Sequence, residues 1–248
     1  MTRLLLVAAT SAEIQPTINY LVENWESYNP APQSTVAPES KPSAPAHYRY
    51  GQIQVDLLIT AVGLPATAFA MGHVLALSQY DLAIQAGIAG AINKDLSLGQ
   101  VVQISSERFA DLGAETAEGG FIGLQSMGFL PTGPGSPFGF DGRILQAVND
   151  EVQLPELAVC QAISVNKVHG EEKSINAVKK LYPQAEVESM EGASFFYACR
   201  MRGQTCIQLR GISNYVEARN RENWEIGLAV TKLNEVLLQL IQAYMATR

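Results

Sequence analysis

The segment Leu4-Leu5-Leu6-Val7-Ala8-Ala9 offers no polar position along its length, so as a strand it must be covered on both faces. Further strand-like runs follow at Ile53–Thr60, Asp81–Ala86, Val101–Ser105, Cys160–Val165 and Thr205–Ile212. Between them lie stretches with helical signals. Ser11 can cap a helix carrying Ile14, Ile18, Leu21 and Val22 along one side. Pro65 suits the first turn of a helix reaching about Ser78, and Glu171–Leu181 reads as a helix ending before Pro183. A final helix, capped by Asn220 or Asn223, carries an apolar stripe at Ile226, Val230, Leu233, Leu237, Leu240 and Ile241. Strands alternating with helices predict an α/β fold, a mostly parallel central sheet flanked by helices. No internal repeat or boundary linker interrupts it, so residues 1–248 read as one domain.

Two stretches depart from this alternation. Tyr28–His47 holds Pro30, Pro32, Pro38, Pro42 and Pro45 among Ala and Ser, which bars a helix or a central strand and predicts a flexible surface insertion. Residues 107–142 are rich in Gly and carry Phe109, Phe121, Phe129, Phe138 and Phe140, the signature of a functional loop or of packing on a second subunit.

Composition serves mainly to exclude. Charged residues at 17% beside 47% hydrophobic ones suit a compact enzyme rather than a disordered chain. A net charge of −7 without a basic stripe excludes a nucleic-acid backbone as partner. Cys160, Cys199 and Cys206 are odd in number and sit in apolar runs, so they read as reduced core residues of a cytoplasmic protein, with neither a disulfide set nor a metal site. No cofactor is called for. The first apolar run is too short for a signal peptide, and no segment approaches the roughly 20 apolar residues that cross a membrane.

The chemistry gathers at strand ends. In Glu188-Ser189-Met190-Glu191-Gly192 two carboxylates three apart straddle a Met where a helix begins. A helix N-terminus alone favours such charges. The next strand, however, ends in the polar tip Ser213-Asn214-Tyr215, and ligands bind at the carboxyl ends of strands in open α/β sheets. Glu13 falls in the first helical turn after the first strand. In Gly87-Ile88-Ala89-Gly90, small residues let backbone N–H groups approach a ligand.

Met190-Glu191-Gly192 before a helix, then Arg210-Gly211-Ile212-Ser213-Asn214 closing a strand, resembles the nucleoside phosphorylase and nucleosidase superfamily. Ala8-Ala9-Thr10-Ser11-Ala12-Glu13, Thr60-Ala61-Val62-Gly63 and Gln85-Ala86-Gly87-Ile88-Ala89-Gly90 follow the same resemblance in order along nearly the whole chain. Phe109-Ala110-Asp111-Leu112-Gly113-Ala114-Glu115, Val165-Asn166-Lys167-Val168-His169-Gly170 and Ser213-Asn214-Tyr215-Val216-Glu217 look most like the futalosine hydrolases, enzymes of an alternative menaquinone pathway.

The resemblance implies the site. Glu13 would be the base that activates water, and Glu191 would hold the ribose hydroxyls and face the developing oxocarbenium charge, with Met190 beneath the sugar. Gly87, Ile88 and Ala89 would line the site, Val168 and His169 would take the base-stacking and base-edge positions, and Trp224 a hydrophobic position on the 5′ side. Asn214 stands where adenosine-type members carry Asp. An amide is no strong acid, but it donates to purine N7 or O6 and so favours hypoxanthine or guanine.

The expected reaction is therefore hydrolysis of futalosine to hypoxanthine and dehypoxanthine futalosine, with Arg219 or Arg221 meeting the carboxylate at the 5′ end. Phosphorolysis is disfavoured because Glu13 would repel phosphate and Gly87-Ile88-Ala89-Gly90 supplies neither Arg nor hydroxyl. Two alternatives stand beside it: a methylthioadenosine/S-adenosylhomocysteine or other purine nucleosidase, opposed by Asn214, and a non-catalytic nucleoside-binding module, opposed by the presence of both Glu13 and Glu191. The implied partners are a small-molecule nucleoside and further copies of the chain, as a homodimer or larger homo-oligomer.

Overall fold

The computed structural model describes residues 1–28, 45–118, 120–124, 126–129, 145–146 and 157–246. Strand β1 (Thr2–Ala8) is the first apolar run, and Leu4–Ala8 are almost wholly buried, as their composition demands. A 3₁₀ turn, Ser11–Ile14, leads into helix α1 (Gln15–Asn24). The cap is Thr10, not Ser11: Thr10 N and Oγ1 donate to Glu13 Oε2 at 2.9 and 3.0 Å, so Glu13 closes a capping box on the turn that holds it. Ile14 and Leu21 are buried as expected. Val22 is not; it is 62% exposed, one position round the helix from Leu21.

Strands β2 (Glu26–Ser27), β3 (Ala46–Tyr50) and β4 (Ile53–Ile59) follow. Most of the proline-rich stretch, residues 29–44, lies outside the described residues. Its flanks meet, with Tyr28 N donating to His47 O at 3.1 Å. Then come α2 (Leu64–Leu77), β5 (Leu82–Ala91), β6 (Val101–Glu107), the hairpin β7 (Gly113–Glu115) and β8 (Phe121–Gly123), β9 (Leu145–Gln146) and β10 (Ala158–Ser164). Phe138 and Phe140 of the aromatic stretch lie outside the described residues. The chain ends with α3 (Glu172–Leu181), β11 (Val187–Ser189), α4 (Gly192–Arg202), β12 (Cys206–Tyr215) and α5 (Ile226–Ala246). Asn220 caps the 3₁₀ turn Arg221–Asn223 by accepting from Glu222 N, rather than capping α5 itself.

The main sheet runs β11-β10-β6-β12-β5-β1-β4-β3-β2. β1 is parallel to β4 and β5, β5 to β12, and β10 to β6 and β11. The exceptions are β6 against β12, the outer β2–β3–β4 pairs, β9 on β6, and β11 against β5. This last pair bends the sheet back on itself, so β5, β12, β6, β10 and β11 close into a ring of strands.

β5 does not stop at Ala86. It continues through Gly87–Ala91, because β12 pairs with it from Cys206 to Tyr215, with a register shift between Ile212 and Asn214. Gly90 therefore faces Asn214 on one neighbour and Glu188 on the other. Topology thus brings three distant motifs to one place.

Two apolar layers hold the sheet. Phe195, Phe196, Met71 and Val74 from α4 and α2 fill one face; Leu21, Leu233, Leu237 and Ile241 from α1 and α5 fill the other. Each such side chain contributes about 1.5–3 kcal/mol by leaving water. Cys160, Cys199 and Cys206 are buried within this core and none of them is in a disulfide. Among the described residues no helix is long and apolar enough to cross a membrane.

Candidate active site

The buried guanidinium of Arg210, 1% exposed on central strand β12, organises the site. An unpaired charge there would be very costly, so its donors are spread over surrounding acceptors. Nε donates to Gln208 Oε1 at 2.9 Å and Nη2 to Gln85 Oε1 at 3.1 Å, the two Gln being register partners on β12 and β5. Nη1 lies 3.5 Å from both the Ile88 carbonyl and Glu191 Oε2. Glu191 Oε1 in turn accepts from Gly63 N at 3.0 Å.

Glu13 reaches the same place from the opposite strand end. Its Oε1 accepts the Ile88 N–H at 3.0 Å while Oε2 stays on Thr10. Gly87 is wedged between the two charges: a Cβ there would lie 2.6 Å from Arg210 Nη1 and 2.9 Å from Glu13 Oε1. Glu191 therefore pairs with Arg210, while Glu13 lies across Gly87 from it, on the β5 backbone.

A third carboxyl stands behind them. Glu107, the last residue of β6, is fully buried; Ser164 Oγ donates to its Oε2 at 3.0 Å, and Oε1 has no hydrogen-bond partner among the described residues. Burial pushes its carboxyl up to about 7, opposed by Arg210, the Ser164 hydrogen bond and the neighbouring Gln208 amide, with Glu191 adding slightly to the rise. Ser164 Oγ also accepts from Ala193 N at 2.9 Å, which ties Glu107 to the first turn of α4 directly after Glu191.

At the far end of the Gly87–Gly90 segment, a small recess is lined by Gly90, Val168, His169, Glu188, Asn214, Arg219 and Trp224, among others. Asn214 Oδ1 accepts from Ser213 Oγ at 2.8 Å, and Nδ2 donates to the Tyr215 carbonyl at 3.0 Å. That uses one amide hydrogen and leaves the other for a ligand. Glu188, 3% exposed, accepts the His169 backbone N–H at 3.0 Å through Oε1 and pairs with His169 Nδ1 through Oε2. Arg219 and Arg221 both sit against the Trp224 ring, at 5.0 and 5.5 Å from its centre. Arg219 and Trp224 share the recess with Asn214 and His169; Arg221 does not line it.

The structure therefore sorts the expected residues into two neighbouring groups. Glu13, Glu191, Gly87 and Ile88 surround Arg210, with Met190 half-buried directly before Glu191. Val168, His169, Asn214, Arg219 and Trp224 form the recess, and Ala89 links the groups through its carbonyl, which accepts from Ser213 Oγ at 3.2 Å. Sequence reasoning passed over Arg210, Glu107, Gln85, Gln208 and the partnership of Glu188 with His169. Arg and paired Gln inside otherwise apolar strands were the available signal for three of these.

Residues 3–246 match the family model described as the phosphorylase superfamily. A futalosine hydrolase of Acidothermus cellulolyticus is 30% identical over 191 residues, covering 76% of this chain and 76% of that protein. In fold, the chain is similar to a futalosine hydrolase mutant of Helicobacter pylori (TM-score 0.73, 16% identity, 98% of this chain and 100% of that one). It is equally similar to a 5′-methylthioadenosine/S-adenosylhomocysteine nucleosidase of Neisseria meningitidis in complex with methylthio-immucillin-A (TM-score 0.74, 15% identity, 98% and 100% covered).

Proposed function

Because the chain belongs to the phosphorylase superfamily, we propose that it is a nucleosidase that hydrolyses the N-ribosidic bond of futalosine, releasing hypoxanthine and dehypoxanthine futalosine. The observation that carries this is the pair of carboxylates near Arg210. Glu191 pairs with the guanidinium, and Glu13 stands across Gly87 from it, held on the Ile88 backbone N–H.

Glu191, buried and fixed by Gly63 N, places negative charge where a ribosyl cation develops. Glu13 accepts the proton of the attacking water, a role worth on the order of 10²–10⁴ in rate. Glu13 already occupies the Ile88 N–H, the donor at this strand end to which an anion would otherwise bind, so water rather than phosphate is the acceptor of the ribosyl group. Asn214 presents its remaining amide hydrogen to the N7/O6 edge of a 6-oxopurine. The likeness at 30% identity is to a futalosine hydrolase, which agrees with that base. The reaction belongs to menaquinone biosynthesis by the futalosine route.

Buried cysteines outside any disulfide suit a cytoplasmic protein. Exposed Val62 and Phe69, close in sequence to the Gly63 that holds Glu191, suit a homo-oligomer that covers this face of the site. The test is incubation of the purified protein with futalosine in phosphate-free buffer and chromatography of the products. Hypoxanthine and dehypoxanthine futalosine in equal amounts support the assignment; intact futalosine overturns it.

A further inference from the structure

We propose that His169, held by Glu188, is the general acid that gives the leaving purine its proton. This rests on the nucleosidase reading of the same site. Breaking the bond from C1′ to N9 sends its electron pair into the purine, and the base leaves far more readily if a proton reaches N7. Asn214 cannot supply one, because an amide holds its hydrogens, and one of them is already spent on the Tyr215 carbonyl. Among the described residues that line the recess with Asn214, His169 carries the side chain suited to this proton transfer, since Glu188 is engaged with His169 itself and Glu217 with Lys94.

Its setting is that of a positioned imidazole. Glu188 is buried on β11 and grips His169 twice, at the backbone N–H and at ring Nδ1. A carboxylate on one ring nitrogen fixes the orientation of the ring and stabilises the imidazolium, leaving the other nitrogen to carry the mobile proton. Nε2 has no protein hydrogen bond among the described residues. The closure of β11 onto β5 sets this pair opposite Gly90, itself the register partner of Asn214.

The step balances. Water oxygen bonds to C1′ and loses a proton to Glu13; the C1′–N9 bond breaks, and N7 takes the Nε2 proton of His169. The free base and the ribose hydroxyl are the products, and the proton on Glu13 is returned to His169 through solvent. The charged groups that share a lining with His169 are Glu188 on β11 and Glu217 and Arg219 on the loop after β12, in the recess, and Asp111, Glu115 and Lys180 in a second cavity that His169 also lines. Lys94 pairs with Glu217, and Asn166 holds Asp111, so Glu188 is the carboxylate committed to the imidazole.

The test is the pH dependence of kcat for futalosine in wild type, His169→Gln and Glu188→Gln. His169→Gln should lower kcat at pH 7 by about 10²–10⁴-fold, leave KM within a few-fold, and abolish the alkaline limb of the profile. Glu188→Gln should lower kcat less and move that limb to lower pH, because the imidazolium loses its stabilising partner. Wild-type kcat in His169→Gln, or an alkaline limb surviving unchanged in it, overturns the proposal. Should that variant fail to fold, an unmoved alkaline limb in Glu188→Gln overturns it equally. A wild type that releases no hypoxanthine would overturn the nucleosidase reading itself, whereas an active wild type with an unimpaired His169→Gln removes only the acid.

Discussion

A Cβ on Gly192 would lie 1.8 Å from Glu107 Oε1, so the first residue of α4 is in direct contact with the buried carboxyl at the end of β6. Gln208 Oε1 would be 2.5 Å from the same Cβ. Neither neighbour is free to retreat, since Glu107 is bonded to Ser164 and Gln208 to Arg210. Gly192→Ala should therefore destabilise the protein by about 1–3 kcal/mol, the usual cost of overpacking. It should also reduce kcat by displacing Glu191, the preceding residue. Thermal melting and steady-state kinetics check both; an unchanged melting temperature with full activity would mean that the contact relaxes freely.

Glu107 also sets a pH dependence. Its folded-state carboxyl stands at about 7 against an ordinary 4.5. Between those values the folded protein keeps a proton that the unfolded chain has lost, so this group's contribution is fully present below about 4.5 and is lost as pH rises through about 7. Glu107→Gln removes the term. Relative to wild type, the variant should gain about 3 kcal/mol between pH 4.5 and 7.5, the shift expressed as free energy. Urea unfolding at both pH values measures it, and parallel stabilities for the two proteins would refute the assignment.

Glu13→Gln keeps an acceptor oxygen for Ile88 N or Thr10 and removes only the basic charge. Turnover of futalosine should fall at least about 100-fold while KM changes little. Retention of more than a tenth of wild-type kcat would exclude Glu13 as the base.

Strands β1, β4, β5, β6, β10 and β12 and most helices are legible because strands such as β1, β5 and β12 are buried on both faces and so carry long apolar runs, whereas the short β2, β3, β7, β8, β9 and β11 carry none. Glu13 and Glu191 stand out in the sequence because they follow strand ends, and the fold brings both to the β5 backbone or its neighbours. What escaped notice depended on long-range closure. Glu188 reads as a helix-end charge until β11 turns back onto β5 and meets His169, and Glu107 reads as a strand terminus until α4 packs on it. Arg210 has no visible role in the sequence, because only the register of β12 on β5 brings Gln85, Ile88 and Gln208 to it. The Thr10 cap was misplaced by one residue because the chain first makes a 3₁₀ turn, and cap position is set by that geometry.

Arg219 and Arg221 both stack on Trp224, but Arg219 alone of the two lines the recess. If an arginine meets the carboxylate at the 5′ end of futalosine, Arg219→Ala should raise KM about ten- to a hundredfold, a charge-assisted hydrogen bond being worth about 1.5–3 kcal/mol. Inosine, which lacks that carboxylate, should be nearly unaffected, and Arg221→Ala should change KM for futalosine less. Equal losses for futalosine and inosine in Arg219→Ala would place the carboxylate elsewhere.

The most direct measurement is the ratio of kcat/KM for hypoxanthine release from futalosine to that for adenine release from methylthioadenosine, taken in phosphate-free buffer. A donor at Asn214 meets O6 of hypoxanthine but opposes the amino group of adenine, and an unsatisfied buried polar group discriminates strongly. The ratio should exceed about 100, with no acceleration by added phosphate. A ratio near one or below, or a rate that requires phosphate, would contradict the assignment of this site to futalosine hydrolysis.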